Sequence, residues 1–582
     1  MSIFRILKKY KQLLTKKQWN SLLPLFFLML IAGVMETLSV SLIMPFMDIV
    51  MNPTRIRGKW YIILIQQVFN RDDTKFVLAM IALAMAGVYI IKNLYVIWEI
   101  RIQQLFVSKS MFDTQKRLIA VLMNKPYEYF LQLSSGTMLT MVYNHIVSVF
   151  GLLTQVLYMF SELIVAGMLV VTLFIISPII SLLMGGVLSV LMLVISRVIK
   201  PIIKRASADS MDSSQELYKW ILQSVQGIKE VKVLETEGYF LDKYDKAGRT
   251  YVNANCTYTV MNNLPRALIE AVTMAGFFIT ISIFIFKGQN IGNMFPVIAA
   301  IAMAAIRLLP AANRISGALA SIAFSEAYMD ELLAFLNNVD NTEKSQNDIM
   351  SSEDVAYNYK WSKIEIEDII YRYPNTETPV LQGASLEVKR DETIGIVGES
   401  GAGKSTLIDI AMGLLVPEAG TVSVDGVSIQ KDIKGWVSNI GYIPQSIFML
   451  DDNIRKNVAF GISTNEIDDD KVWRALDDAA LGDFIRGMPD GLDTQIGERG
   501  MRLSGGQRQR IGIARALYRN PQILFFDEAT SALDNDTEQE VMHSINGLKG
   551  HKTMVIIAHR LTTIESCDHI YRVENGKVIQ ER

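Results

Sequence analysis

Six apolar runs, each long enough to cross a hydrocarbon layer as a helix, crowd into the first 320 positions of this chain and fix most of what it can become. A bilayer core of about 30 Å needs roughly 20 apolar residues in helical form, because no water is present there to satisfy backbone groups left unpaired. The runs fall near 22–47, 76–97, 148–176, 179–198, 266–286 and 294–316. Of the 582 residues, 50% are hydrophobic, and charged residues dominate only after the sixth run. That asymmetry predicts an all-α membrane region followed by a soluble one. A net charge of -2 leaves no overall positive excess, so nucleic acid is not expected as a partner. Cys256 and Cys567 stand far apart with no Cys or His at ligand spacing, which points to reduced thiols rather than a disulfide framework or zinc cluster.

Charge sets the orientation. Arg5, Lys8, Lys9, Lys11, Lys16 and Lys17 precede the first run without an intervening acid, which places the N-terminus in the cytoplasm. The first run is too long for a signal-peptide core and no small-x-small cleavage site follows it. Six crossings then return the chain to the cytoplasmic side. Segments 99–147 and 199–265 carry Arg101, Lys109, Lys116 and Arg117, then Lys200, Lys204, Arg205, Lys229 and Lys232, as cytoplasmic segments should. Ser177-Pro178 and 287–293 make short outer connections. The first outer loop is exceptional in holding Arg55, Arg57, Lys59 and Arg71. Within it Trp60, Tyr61, Ile62, Leu64, Ile65 and Phe69 form a stretch too short to span. It reads either as an amphipathic helix lying at the outer interface or as a small packed loop.

Near 363 the pattern changes to short β-rich runs, so residues 1–336 are expected to form the transmembrane domain, 337–360 a polar linker and 361–582 a second domain. The run ending at Val397 leads into Gly398-Glu399-Ser400-Gly401-Ala402-Gly403-Lys404-Ser405-Thr406 and then an apolar helical stretch. Strand, glycine loop and helix in that order make a P-loop, whose backbone N–H groups and helix N-terminus cradle phosphate. Lys404 is then expected at the β- and γ-phosphates of ATP, and Ser405 at Mg2+. Ile523 to Phe526 is a buried-strand pattern ending in two acids, of which Asp527 fits a partner standing behind the metal's direct ligands and Glu528 the group that polarises attacking water.

Leu503-Ser504-Gly505-Gly506-Gln507, followed by Arg508-Gln509-Arg510-Ile511, resembles the signature motif of ABC proteins. Gln445 resembles that family's Q-loop glutamine and joins Ser405 as an expected Mg2+ ligand. Ser531-Ala532-Leu533-Asp534 resembles the D-loop, His559 the switch histidine and Tyr373 the aromatic stacked on adenine. The resemblance implies a six-helix transmembrane domain of the type I/IV exporter kind followed by an α/β P-loop nucleotide-binding domain. It further implies a homodimer in which the signature acts in trans, with Glu528, His559 and Gln445 serving ATP hydrolysis. Helical elements around Pro126–Leu131 and Glu237–Phe240 resemble the family's coupling elements.

Ionisable residues inside spans are costly and mark function. Arg307 and Arg314 stand at i and i+7 on one face of the sixth run, Arg266 opens the fifth after Pro265, and Lys92 sits in the second. Facing one cavity, they make an anion site suited to pyrophosphate. Otherwise Arg266 and Arg314 snorkel or pair with Glu36, Glu162 or Glu270. Ser41 to Phe46, Leu264-Pro265-Arg266 and Arg307 to Ile315 resemble the lipid-linked oligosaccharide flippases of bacterial protein glycosylation. That likeness implies a polyprenyl-pyrophosphate glycan carried across the bacterial inner membrane, with pyrophosphate at Lys92, Arg266, Arg307 and Arg314 and the lipid tail at the Trp60–Phe69 segment. The alternative is an exporter of lipid A, peptides or drugs, whose cavity would be lined by aromatic and apolar groups.

Overall fold

The computed structural model describes residues 3–42, 46, 74–133, 135–176, 178–286, 311–336, 361–374, 376–528, 535–558 and 564–582. The chain divides into two compact units, Met1–Asn124 with Leu133–Asn341, and Lys125–Gln132 with Thr342–Arg582.

The first unit is helical. Helix α1 (Ile3–Leu13) is amphipathic, with Ile6, Tyr10 and Leu13 buried along one stripe while Arg5, Lys8 and Lys11 face out. Its buried face is pinned where the Tyr10 hydroxyl donates to the Val149 carbonyl at 2.6 Å and Lys9 meets Asp330 at 2.5 Å. Thr15 caps α2 (Lys16–Asn20) through a reciprocal capping box with Gln18. The apolar helix α3 (Leu22–Ser41) follows. Then come α4 (Thr74–Met123), α5 (Tyr127–Gln132, which belongs to the second unit), α6 (Ile146–Ile176), α7 (Pro178–Gln226) and α8 (Glu237–Phe286). Residues 311–336 are helical. Among the described residues three helices are long and apolar enough to cross a membrane, Lys16–Ser39, Lys75–Met123 and Gly136–Met168.

Helices α4, α7 and α8 run 49 to 50 residues, about 75 Å at 1.5 Å per residue, far longer than the hydrocarbon layer. The segment after the second apolar run therefore continues the same helix: residues 98–123 contain neither Gly nor Pro to end it. Pro265 lies inside α8, as Pro201 lies inside α7. These two helices pack along each other, and such packing sustains a helix through the one hydrogen bond that a proline removes.

The second unit joins two sheets. Strands β1 (Lys363–Tyr371), β2 (Leu381–Lys389), β4 (Ala419–Val424) and β5 (Val427–Ser428) form an antiparallel sheet in the order β2-β1-β4-β5. Strands β3 (Thr393–Val397), β6 (Ile440–Ile443), β7 (Ile523–Asp527), β8 (Thr553–Ile557), β9 (His569–Glu574) and β10 (Lys577–Gln580) form the other, in the order β10-β9-β3-β8-β7-β6. All pairs of this second sheet are parallel except β9 with β10. Its central strands are buried on both faces, which is why β7 and β8 read as unbroken apolar runs. Ile396 pairs with Ile557, and Asp527 pairs with Ile557 on the other side, so the ends of β3, β8 and β7 lie level. That register sets the P-loop and the acids after β7 at one edge, the carboxyl end where parallel sheets bind ligands.

Candidate functional site

Gly403, at φ 105, caps α9 (Lys404–Ala411) in a left-handed conformation that a side chain would strain. At Gly398 the neighbour decides: a Cβ there would lie 2.4 Å from the Val573 carbonyl oxygen of β9. Glu399 and Ser400 stand exposed at the crest, with Gly401 beside them and Ala402 half-buried behind. Lys404 is 5% exposed and folds back over the loop, its Nζ donating to the carbonyls of Gly398 at 3.0 Å and Glu399 at 2.9 Å. An ammonium group over inward-turned amides at the start of a helix suits a polyphosphate.

Ser405 Oγ donates to Asp527 Oδ1 at 3.1 Å, and Gln445 Nε2 donates to Glu528 Oε2 at 2.7 Å. Burial pushes the Asp527 carboxyl up, the Ser405 hydrogen bond opposes that shift and the Glu528 charge adds to it. Burial together with the Asp527 charge drives the neighbouring Asp409 carboxyl up to about 6. No group of three acids, histidines or cysteines among the described residues is placed to hold a metal ion, so a divalent cation here would be held by Ser405 and Gln445 with Asp527 behind them rather than by an acid cluster. Glu528 holds φ 50, a left-handed conformation uncommon outside glycine that sets it at the end of β7.

The Tyr373 hydroxyl lies 3.0 Å from Thr406 Oγ1, and the ring stands edge-on to Tyr371 at 5.1 Å. Tyr371 in turn donates its hydroxyl to Glu128 of α5 at 3.3 Å. The tyrosines, the P-loop and α5 thus form one contact chain inside the second unit.

Leu503 is buried, and Ser504 caps α10 (Gly505–Tyr518) through a second reciprocal box: Gln507 N donates to Ser504 Oγ at 3.2 Å and Ser504 N to Gln507 Oε1 at 2.8 Å. Gly505 is exposed and Gly506 buried, so the helix start meets solvent at Gly505. Arg515 anchors this helix by donating to the carbonyls of Asn457 and Phe448, each at 2.8 Å, and burial holds its guanidinium down to about 10.

In the first unit a cavity of about 540 Å³ is lined by Glu36, Lys92, Glu99, Gln103, Glu162 and Arg314, among others. Two of the four cations expected at pyrophosphate meet there, each with a carboxylate: Lys92 to Glu36 at 2.7 Å and Arg314 to Glu162 at 2.5 Å. Arg266 is exposed on α8. Arg307, the stretch Trp60, Tyr61, Ile62, Leu64, Ile65 and Phe69, the D-loop Ser531, Ala532, Leu533 and Asp534, and His559 lie outside the described residues. Sequence reasoning passed over Glu99 and Gln103, whose i, i+4 spacing just beyond an apolar run was a signal, and over Glu128 and Asp409.

The family model for the ABC transporter transmembrane region matches residues 22–306, and the model described as ABC transporter matches 381–531. The chain belongs to the ABC transporters. It is 32% identical over 388 residues to the ATP-dependent lipid A-core flippase of Thiobacillus denitrificans, which covers 66% of this chain and 65% of that protein. To the protein of the same description in Saccharophagus degradans it is 33% identical over 366 residues, 62% of this chain and 59% of that one. To the leukotoxin translocation ATP-binding protein LktB of Mannheimia glucosida it is 31% identical over 395 residues, 66% of this chain and 53% of that one. The chain thus spans less than two thirds of the length of each of these relatives. A bacterial Atm1-family ABC exporter solved with ATP bound shares the fold, at a TM-score of 0.76 and 21% identity over 95% of this chain and 93% of that one. The architecture is an exporter-type transmembrane domain followed by an α/β nucleotide-binding domain.

Proposed function

We propose that this chain is one half of a homodimeric transporter in a bacterial inner membrane that hydrolyses ATP, with Mg2+, to flip a polyprenyl-pyrophosphate-linked oligosaccharide from the cytoplasmic to the outer leaflet. The observation that carries the ATP reading is the level register of β3, β8 and β7, which sets Lys404, Ser405, Asp527, Glu528 and Gln445 around one edge. Bound Mg-ATP supplies the phosphoanhydride and the Lewis acid. Lys404 and the amides of residues 398–406 would hold the phosphates, Ser405 and Gln445 would hold the metal with Asp527 behind, and the Tyr373 ring would stack on the base. Glu528 orients water and accepts its proton. Residues 503–507 of one copy close the site of the other, with His559 and 531–534 completing it.

For the cargo, the reading rests on a cavity lined by Lys92 and Arg314; Arg266, Arg307 and the Trp60–Phe69 segment enter it through the sequence resemblance alone. A lipid A-type cargo is the second reading, favoured by the two lipid A-core flippases among the relatives and by the carboxylates that already match two of the cations. The test is ATP-dependent movement of a fluorescent polyprenyl-pyrophosphate sugar in proteoliposomes. Movement of that lipid supports the first reading. ATP turnover that moves a lipid A analogue alone transfers the proposal to the second.

A further inference from the structure

The membrane cavity holds more negative than positive charge among the described residues. Glu36 matches Lys92 and Glu162 matches Arg314, while the third carboxylate, Glu99, meets no described cation. It accepts the side-chain amide of Gln103, one turn along α4, and Glu162 is close enough to repel it. Gln103 is 3% exposed. Its Nε2 must face Glu99, since a reversed amide would set a carbonyl oxygen against a carboxylate. Its Oε1 therefore stays buried and without a donor among the described residues, in a side chain that lines the cavity. A carbonyl without a donor and a carboxylate without a cation among the described residues, both sheltered from water, are destabilising until something supplies hydrogen-bond donors and positive charge.

The geometry points to an ammonium subsite at Glu99 and Gln103, taking a free primary amine on the headgroup of the transported lipid. A primary ammonium matches both deficits, with a compact charge and three donors. The subsite lies about 10 Å along α4 from Lys92 at 1.5 Å per residue. The headgroup is then zwitterionic: its phosphates draw Arg314, whose side chain is 66% exposed, away from Glu162, and its amine settles on Glu99. This inference rests on the flippase reading and names the chemistry that reading leaves open.

A matched pair of probes tests it: polyprenyl-pyrophosphate-glucosamine against polyprenyl-pyrophosphate-N-acetylglucosamine, which differ only in whether the amine is free or acylated. Full-length protein in proteoliposomes should move the free amine with kcat/KM about tenfold higher, the span of one charge-assisted hydrogen bond. Glu99→Gln should bring the ratio near one, and Gln103→Met, which keeps the volume and removes the acceptor, should lower it partway. Equal rates in the wild type overturn the subsite, as does a preference that survives Glu99→Gln. Since the wild-type ratio decides alone, a poorly folded variant leaves the test intact. If ATP is hydrolysed but neither lipid moves, the flippase reading fails and the subsite with it. A phosphatidylethanolamine arm separates sources: movement of that lipid without either sugar lipid places the amine on a phospholipid headgroup and overturns the glycan assignment.

Discussion

Removing the carboxylate beside Lys92 should unfold the membrane unit more readily than removing the whole ion pair. Lys92 keeps 4% of its side chain exposed and Glu36 14%, and their charged atoms are 2.7 Å apart. Glu36→Gln strands an ammonium in a low-dielectric site, and breaking a buried pair from one side costs about 3–5 kcal/mol. The Tyr89 ring, 5.0 Å from Lys92 Nζ, recovers about 1 kcal/mol of that at most. At about 2 °C of unfolding midpoint per kcal/mol, suited to a large unit, the single variant should lose roughly 4–10 °C. Glu36→Gln combined with Lys92→Met removes both charges at similar volume and should regain most of the loss. The assay is tryptophan-fluorescence melting of the full chain in lipid nanodiscs for the two singles and the double. A single variant that melts within about 1 °C of wild type, or a double as damaged as the sum of the singles, would refute the claim that Glu36 balances the buried Lys92 charge.

Three further outcomes are expected. Glu528→Gln should lower the ATPase rate on the order of 10²–10³-fold while nucleotide still binds, read by phosphate release alongside a fluorescent-nucleotide titration; an unchanged rate would remove Glu528 from hydrolysis. Gly398→Ala would drive a Cβ to 2.4 Å from the Val573 oxygen, which β10 holds through the Val578–Val573 pair, so the fold should lose about 1–3 kcal/mol and ATP affinity should fall, seen by melting and titration. Asp409, with its carboxyl up at about 6 against about 4 unfolded, binds protons more tightly when folded. Its favourable contribution is therefore full below about 4 and lost as pH rises through 6. Asp409→Asn should accordingly raise the melting midpoint relative to wild type at pH 8 and not at pH 4, and the opposite pH order would contradict this burial argument.

Features written in contiguous residues were legible. The P-loop, the acids ending β7 and the signature cap each follow from local spacing, and the structure brings Ser405 to Asp527 and Gln445 to Glu528 across long sequence separations. Their meeting depends on strand order, which parallel-sheet rules restrict but spacing alone does not state. Apolar runs marked six candidate spans, and three helices among the described residues are long and apolar enough to cross a membrane, but the runs did not mark the full lengths of α4, α7 and α8, because a helix can lose its apolar signal while keeping its geometry. Pro265 does not mark a helix boundary for a related reason: proline breaks an isolated helix, yet one packed along α7 continues through it. The pairing of Lys92 with Glu36 and of Arg314 with Glu162 joins residues on different helices. Sequence offered those acids as candidates, and only helix packing selects among them.

The most direct test of the account is ATP-dependent transfer of a fluorescent polyprenyl-pyrophosphate sugar across proteoliposomes by wild type and by Glu528→Gln. The account predicts that wild type moves the lipid and hydrolyses ATP, while the variant binds ATP and moves almost none. Brisk ATP hydrolysis by wild type with no lipid moved would contradict the flippase reading, and lipid movement undiminished in the variant would contradict the claim that hydrolysis at Glu528 drives transport.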